Sequence, residues 1–167
     1  MQELKIPKER IAVLIGTKSE IKSKIQKITK TTINVDSQEG DVLIEGDSLN
    51  VYTATLIIKA IARGFNPDIA LLLRNDKFAL EIITITDFSG KSKKKLDRLK
   101  GRVIGTRGKS RNTLEKLTNT NISVYGKTIA IIGLIEDISI SREAVEKLLQ
   151  GSAHSNVYNF IEKQKSS

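Results

Sequence analysis

The chain has no cysteine and no tryptophan, one histidine, and aromatic residues at only 4% of its length. Without cysteine there is no disulfide framework, no thiolate nucleophile and no cysteine-based zinc site. One histidine, His154, offers no partner set for metal binding or acid–base work, and its expected place is the surface. Asp87, Asp97 and Glu115 are scattered rather than paired, so the carboxylate arrangement of an acid–base catalyst is missing. Scarce aromatics mean an aliphatic core and little support for base stacking, with Tyr125 the one aromatic near the features described below. No apolar run is long enough to span a bilayer, and the first residues do not read as a secretory signal. These absences point to an intracellular, cytoplasmic protein that is not an enzyme, with no cofactor, no metal and no membrane partner.

What the chain does have is localised charge. It carries 28 basic and 19 acidic residues, a net charge of +9. Between Lys91 and Arg111 lie ten basic residues and one acid, Asp97, so this stretch alone accounts for the whole excess. At its end stands Gly105-Thr106-Arg107-Gly108, a G-x-x-G turn opening a helical pattern. Glycine lets a phosphate approach the backbone, and the following helix start offers unpaired N–H groups and the positive end of its dipole. A nucleic-acid backbone is the natural partner of such a place. A lone G-x-x-G can equally punctuate two helices, and a lysine run such as Lys93–Lys95 can be a solvated helix face; the coincidence of both is the informative feature.

The chain also repeats itself. Ile15, Gly16, Ile25, Ile28, Ile33 and Val35 recur at one constant offset as Ile104, Gly105, Leu114, Leu117, Ile122 and Val124. Each half predicts strand, helix, G-x-x-G, helix, strand, strand, helix. The first half gives Leu4–Ile6, Lys8–Ile15, a helix through Ile21, Ile25 and Ile28, a hairpin turning at Gly40, and Ser48–Arg63. The second gives Phe78–Thr86, Lys93–Ile104, Lys109–Asn119, Ile122–Tyr125, Thr128–Ile132 and Ile135–Gln150. Ala153–Lys165, with Val157, Tyr158, Phe160 and Ile161, reads as a docked terminal helix that frays over 163–167. Thr29-Lys30-Thr31-Thr32 and Thr118-Asn119-Thr120-Asn121 read as helix ends leading into strands. The expected class is α+β, with two units over 1–75 and 76–167 joined near Arg74–Lys77.

A G-x-x-G between short helices, followed by a hairpin and a third helix, resembles the KH domain, here as two tandem type I (β-α-α-β-β-α) units. Three segments carry the resemblance further: Ile6–Gly16, Gly101–Arg111 with Thr113–Glu115, and Gly151–Tyr158. They are similar to the archaeal and eukaryotic KH proteins of small-ribosomal-subunit assembly, relatives of the pre-rRNA-processing partner of the Nob endonuclease. The resemblance implies single-stranded RNA as partner, near the 3′ end of the small-subunit rRNA, and a processing endonuclease as second partner. It implies RNA contact at Arg102, Ile104, Gly105, Thr106, Arg107, Gly108, Lys109, Arg111 and Ile122, and at Gly16, Thr17 and Lys18 of the first unit. Bases would lie against Val103, Ile104, Leu114 and Ile122, within reach of Asn121 and Ser123. The first loop departs from the pattern: Ser19 stands where the second has Gly108, and Lys18 is its one base. The expectation is a degenerate first loop, serving as a weaker clamp or a protein-binding face. The competing function classes are a nuclease, which lacks a residue set, and an interaction scaffold in which RNA contact is secondary.

Overall fold

The structure, a computed structural model, describes residues 1–166. The chain divides into two compact units, the first Met1–Phe78 and the second from Ala79 onward. Phe78 stands at the division: its N–H donates to the Asn75 carbonyl of the preceding turn, and it opens the strand that follows.

In the first unit β1 (Gln2–Lys5), α1 (Lys8–Ile15), α2 (Glu20–Thr29), β2 (Thr32–Val35), β3 (Asp41–Glu45) and α3 (Ser48–Ala62) follow in order. β3 lies between β1 and β2 and is antiparallel to both. Strand alternation sends Val42, Ile44 and Ile33 to the helical face, where they are buried with Leu14, Ile25, Ile57, Ile58 and Ile61. β1 begins before the expected Leu4 and ends before Ile6, whose N–H instead bonds the Gly40 carbonyl at 2.9 Å. After α3 the chain forms a helical turn too short to show a periodic pattern in the sequence, α4 (Pro67–Ala70), and a 3₁₀ turn over Leu71–Arg74. Asn66 caps it by accepting from the Asp68 N–H, and Pro67 takes the first helical position.

The second unit repeats this plan with β4 (Phe78–Thr84), α5 (Thr86–Ser89), α6 (Lys93–Ile104), α7 (Lys109–Thr118), β5 (Thr120–Tyr125), β6 (Thr128–Leu134), α8 (Ile135–Leu149) and α9 (His154–Lys165). The sheet order is β4-β6-β5. β4 stops short of the expected Thr86: the N–H of Ile85 bonds the Lys127 carbonyl, and Thr86–Ser89 turns into the short α5. Ser92 caps α6 by accepting from the Lys95 N–H at 3.1 Å. Ile83, Ile85, Val103, Leu114, Ile122, Ile129 and Ile131 form the core with α8. α9 adds Val157 and Ile161, both fully buried, each contributing about 1.5–3 kcal/mol. Lys165, expected to fray, pairs with the buried Asp137 at the start of α8, so the helix persists to that residue. Ser167, the end of the expected frayed stretch, lies outside the described residues.

Three devices occur in both units. Thr29 and Thr118 are buried helix-end residues whose hydroxyls bond Thr31 and Thr120, each pair at 2.7 Å, across left-handed Lys30 and Asn119. Gln26 and Glu115 accept the N–H of Ile33 and Ile122, each at 2.8 Å, holding α2 and α7 to the neighbouring strand. Finally, an arginine of the first helix closes the end of the last. Arg10 donates to the carbonyls of Ile61 and Phe65, both at 2.8 Å, and Arg102 to those of Leu148, at 3.0 Å, and Ser152. Ile61 and Leu148 belong to the last turns of α3 and α8, whose carbonyls lack the usual intrahelical partners, and Phe65 and Ser152 lie in the segments that follow.

Arg102→Ala therefore removes two charge-assisted bonds. We expect a loss of about 2 kcal/mol and a melting transition lower by roughly 4–8 °C, with a shift in the same direction for Arg10→Ala. Thermal denaturation followed by circular dichroism checks this; an unchanged midpoint for both variants refutes the capping role.

Candidate nucleic-acid interface

α6 and α7 meet at Gly105, and the meeting is tight. A Cβ on Gly105 would stand 2.7 Å from the backbone nitrogen and the Cβ of Ser110, at a left-handed φ of +74°. Gly105 is thus required by helix–helix packing. From there the chain runs through a 3₁₀ turn, Thr106–Gly108, in which Arg107 (φ 55°) and Gly108 (φ 74°) are both left-handed. A Cβ at Gly108 would meet only the distant Nη2 of Arg111, at 3.8 Å. The backbone here is bare toward solvent, and no side chain caps α7. The first unit follows the same path: Gly16 presses against Ile21, and Lys18 (φ 54°) and Ser19 (φ 63°) take the left-handed positions. Ser19 accordingly reproduces the shape expected of a glycine, at the strain a side chain incurs there and with that side chain standing on the turn.

The charged side chains around the second loop separate into two groups. Thr106, Arg107 and Lys109 are exposed and border an open concavity completed by Asn112, Thr113 and Lys116. Arg111 is half-buried, with its Nε inaccessible to solvent and without a hydrogen-bond partner, beside Gly108. The charged groups of Arg107, Lys109 and Arg111 make no hydrogen bond or ion pair with any described residue. Arg102 belongs elsewhere. Its guanidinium closes the end of α8, which differs from the RNA contact expected of it from sequence. In the first unit, Thr17 and Lys18 are exposed on their turn and Gly16 is half-buried at its base.

The expected aliphatic groove also differs. Val103, Leu114 and Ile122 are core residues at 2% exposure or less, and Ile104 alone of the four is half-buried. Strand alternation explains this, because Ile122 pairs with Ile131 on the helical face of the sheet. What β5 offers is its edge. It is the outer strand, and the Ile122 N–H points away from β6, toward Glu115. Alternation along an antiparallel strand directs the backbone groups of Val124 the same way. In the first unit the corresponding edge is more fully occupied: Gln26 takes the Ile33 N–H, and Lys22 donates to the Ile33 carbonyl at 3.2 Å. Lys22 is the repeat counterpart of the unengaged Arg111.

His154 is not a free surface residue as expected. Its Nε2 lies 2.8 Å from the Arg102 carbonyl, one of the terminal carbonyls of α6, and its ring meets Tyr158 edge to face at 6.2 Å. The Tyr158 hydroxyl reaches Ser110, the residue against which Gly105 packs. The start of α9 thus supports the α6–α7 junction from behind. The only sequence signal for this was the apolar spacing of the tail. Among the described residues no group of three or more His, Asp or Glu could hold a metal, and no helix is long and apolar enough to cross a membrane.

Comparison with known proteins matches this geometry. Residues 79–166 match the eukaryotic type KH domain (KH-domain type I), and residues 1–60 match the KH domain. A KH domain-containing protein of Methanocaldococcus jannaschii is 47% identical, over 97% of this chain and 73% of its own. The RNA-binding protein PNO1 of Oryzias latipes is 37% identical over 62% of this chain, a match that spans 43% of that longer protein. Among solved structures, Dim2p from Pyrococcus horikoshii superposes with a TM-score of 0.91 at 45% identity, covering 97% of this chain and 98% of that one. The Dim2p chain of an a/eIF2alpha–aDim2p–rRNA complex from the same organism gives 0.91 at 44% identity, covering 99% and 94%. The chain belongs to the KH-domain family, in the branch of the Pno1 and Dim2 pre-rRNA-processing proteins.

Proposed function

We propose that this chain binds single-stranded RNA in small-subunit rRNA maturation, gripping it at the Gly105–Gly108 loop and presenting it to a processing endonuclease. One observation carries the reading: a bare-backbone turn at an uncapped helix start, flanked by Arg107, Lys109 and Arg111, none of which has a protein partner among the described residues. Cations held together without acceptors leave donor capacity for phosphate oxygens, and glycine at 108 lets a phosphate reach the backbone. The buried, unpartnered Nε of Arg111 supports a role in the bound state, since a buried donor without an acceptor is costly. The unpaired edge of β5 beside it offers backbone groups to base edges. Relatives known as pre-rRNA-processing proteins, and a Dim2p seen in a complex with rRNA, agree with this reading. The reaction chemistry would then belong to the endonuclease, and this chain would act as the adaptor.

The second unit should carry most of the affinity. Its loop has Gly108 where the first has Ser19, and its arginine at 111 is free where Lys22 is committed to Ile33. The first-unit loop is followed by Glu20, which opposes a phosphate.

Binding of a fluorescein-labelled single-stranded RNA from the 3′ region of small-subunit rRNA, followed by anisotropy, should depend steeply on salt. About four phosphate contacts, with Arg107, Lys109 and Arg111 among their donors, predict a log–log slope near −3 at about −0.7 per contact. A flat response between about 50 and 200 mM salt rejects this face as the binding surface.

Thr106→Asp with Arg107→Asp places two negative charges on an exposed turn that the fold tolerates. The expected cost is about 2–4 kcal/mol of binding, with unchanged melting. Thr17→Asp with Lys18→Asp should cost about 1 kcal/mol. If the first-unit pair loses more affinity than the second-unit pair, the clamp is in the wrong unit.

A further inference from the structure

The second unit carries a lysine cluster that its duplicate does without. α6 has 12 residues and α1 has 8. Setting Ile104 on Ile15 places the extra turn at the start of α6, and that turn holds Lys93, Lys94 and Lys95. Before it come α5 and the segment Gly90–Ser92, whereas in the first unit only Ile6 and Pro7 separate β1 from α1. The β5–β6 turn brings a further lysine to the same place, since the Lys127 carbonyl accepts the Ile85 N–H at 2.9 Å. Thr86, Gly90, Lys91, Lys93, Leu96 and Lys127 border a concavity of about 550 Å³.

The chemistry of this concavity is two-sided. Lys91, Lys93, Lys94, Lys95 and Lys127 are exposed, and none of their ammonium groups has a hydrogen bond or ion pair with a described residue. The acids on α5 and α6 are Asp87 and Asp97, both exposed and likewise unpaired, so the local balance stays positive. Leu96 supplies half-buried apolar surface, and Gly90 supplies bare backbone, with nothing within 4 Å of where a Cβ would stand. Cations at the rim suit phosphates, and an apolar floor suits the face of a base.

We propose that this concavity is a second RNA contact, holding a nucleotide beyond the segment gripped by the loop. The proposal rests on the RNA-binding reading above. Twelve helical residues at ~1.5 Å each put the far end of α6 roughly 18 Å from the loop. The second unit would then follow the strand further than the four or so nucleotides a KH groove holds.

The test compares a single-stranded RNA of about five nucleotides with one of about twelve that contains it, on the full chain. Wild type should bind the longer RNA at least tenfold tighter. Lys91→Glu, Lys93→Glu and Lys127→Glu together should weaken the longer RNA at least tenfold, leave the shorter within about twofold, and reduce the salt slope for the longer by about 2. A control triple at exposed first-unit lysines, Lys8→Glu, Lys24→Glu and Lys27→Glu, changes the net charge equally and should have a clearly smaller effect. Equal loss on both RNA lengths, no loss on the longer, or an equal effect of the control overturns the second contact. If wild type binds both lengths equally, this inference alone falls. If wild type binds neither, the RNA-binding reading fails and takes this one with it.

Discussion

The approach of α7 to α6 at Gly105 is the constraint from which the rest of the site follows. No side chain fits between Gly105 and Ser110, so the two helices join by a turn with no room for a gradual reversal. The chain must then pass through left-handed backbone at Arg107 and Gly108 before α7 can start. That turn pushes two residues into solvent and leaves the helix start uncapped. A left-handed non-glycine residue costs on the order of 1 kcal/mol or more, and the surrounding aliphatic core must hold it there. The same strain at Lys18, with Gly16 against Ile21, shows that both copies retain the scaffold of the turn whatever each copy does with it.

Divergence between the copies lies in what fills the space around that scaffold. In the first unit Ser19 carries a side chain on the turn and Lys22 bonds the Ile33 carbonyl, so that cation and that carbonyl satisfy each other within the protein. In the second, glycine replaces the serine and Arg111 replaces the lysine, and the arginine bonds nothing. A face that satisfies itself has less to gain from an anion than one that does not. The internal devices are shared more faithfully than the outer face. The threonine pairs and the Gln26 and Glu115 tethers sit at one constant offset. Arg10 and Arg102 do not share that offset, since each projects from a different turn of its helix, yet they close equivalent helix ends. The requirement is the satisfied carbonyl rather than the position of the donor.

This distinction explains what the sequence made legible. The repeat and the apolar spacing reveal helices α1, α6 and α7 almost to the residue, because each ends at a glycine or a left-handed cap and buries one stripe. They did not reveal α4 or α5, which are single turns set by local capping and a hydrogen bond to Lys127, with no periodicity to detect. At the site, the loop residues stood out because glycine and positive charge are rare in combination. A cation next to a basic run looks the same in sequence whether it serves a phosphate or, as Arg102 does, the carbonyls at the end of α8, some 46 residues away. For Ile122, period two says which residues share a side, and only the pairing with Ile131 says that this side is the core.

His154 and Tyr158 show a second limit of linear reading. Their partners, the Arg102 carbonyl and Ser110, lie 52 and 48 residues back in the chain. Together with the buried Val157 and Ile161 they make α9 part of the second unit rather than an appendage. The consequence is energetic. The strained turn and the unpaired cations on the outside of α6 and α7 lower the stability of the isolated helix pair, through backbone strain and like-charge repulsion. Burial along α8 and α9 opposes both from the inner side, where no ligand competes for it. An outer face that keeps its donors free is then compatible with a stable fold, because the groups that hold the turn and the groups that face solvent are different residues on opposite sides of the same two helices.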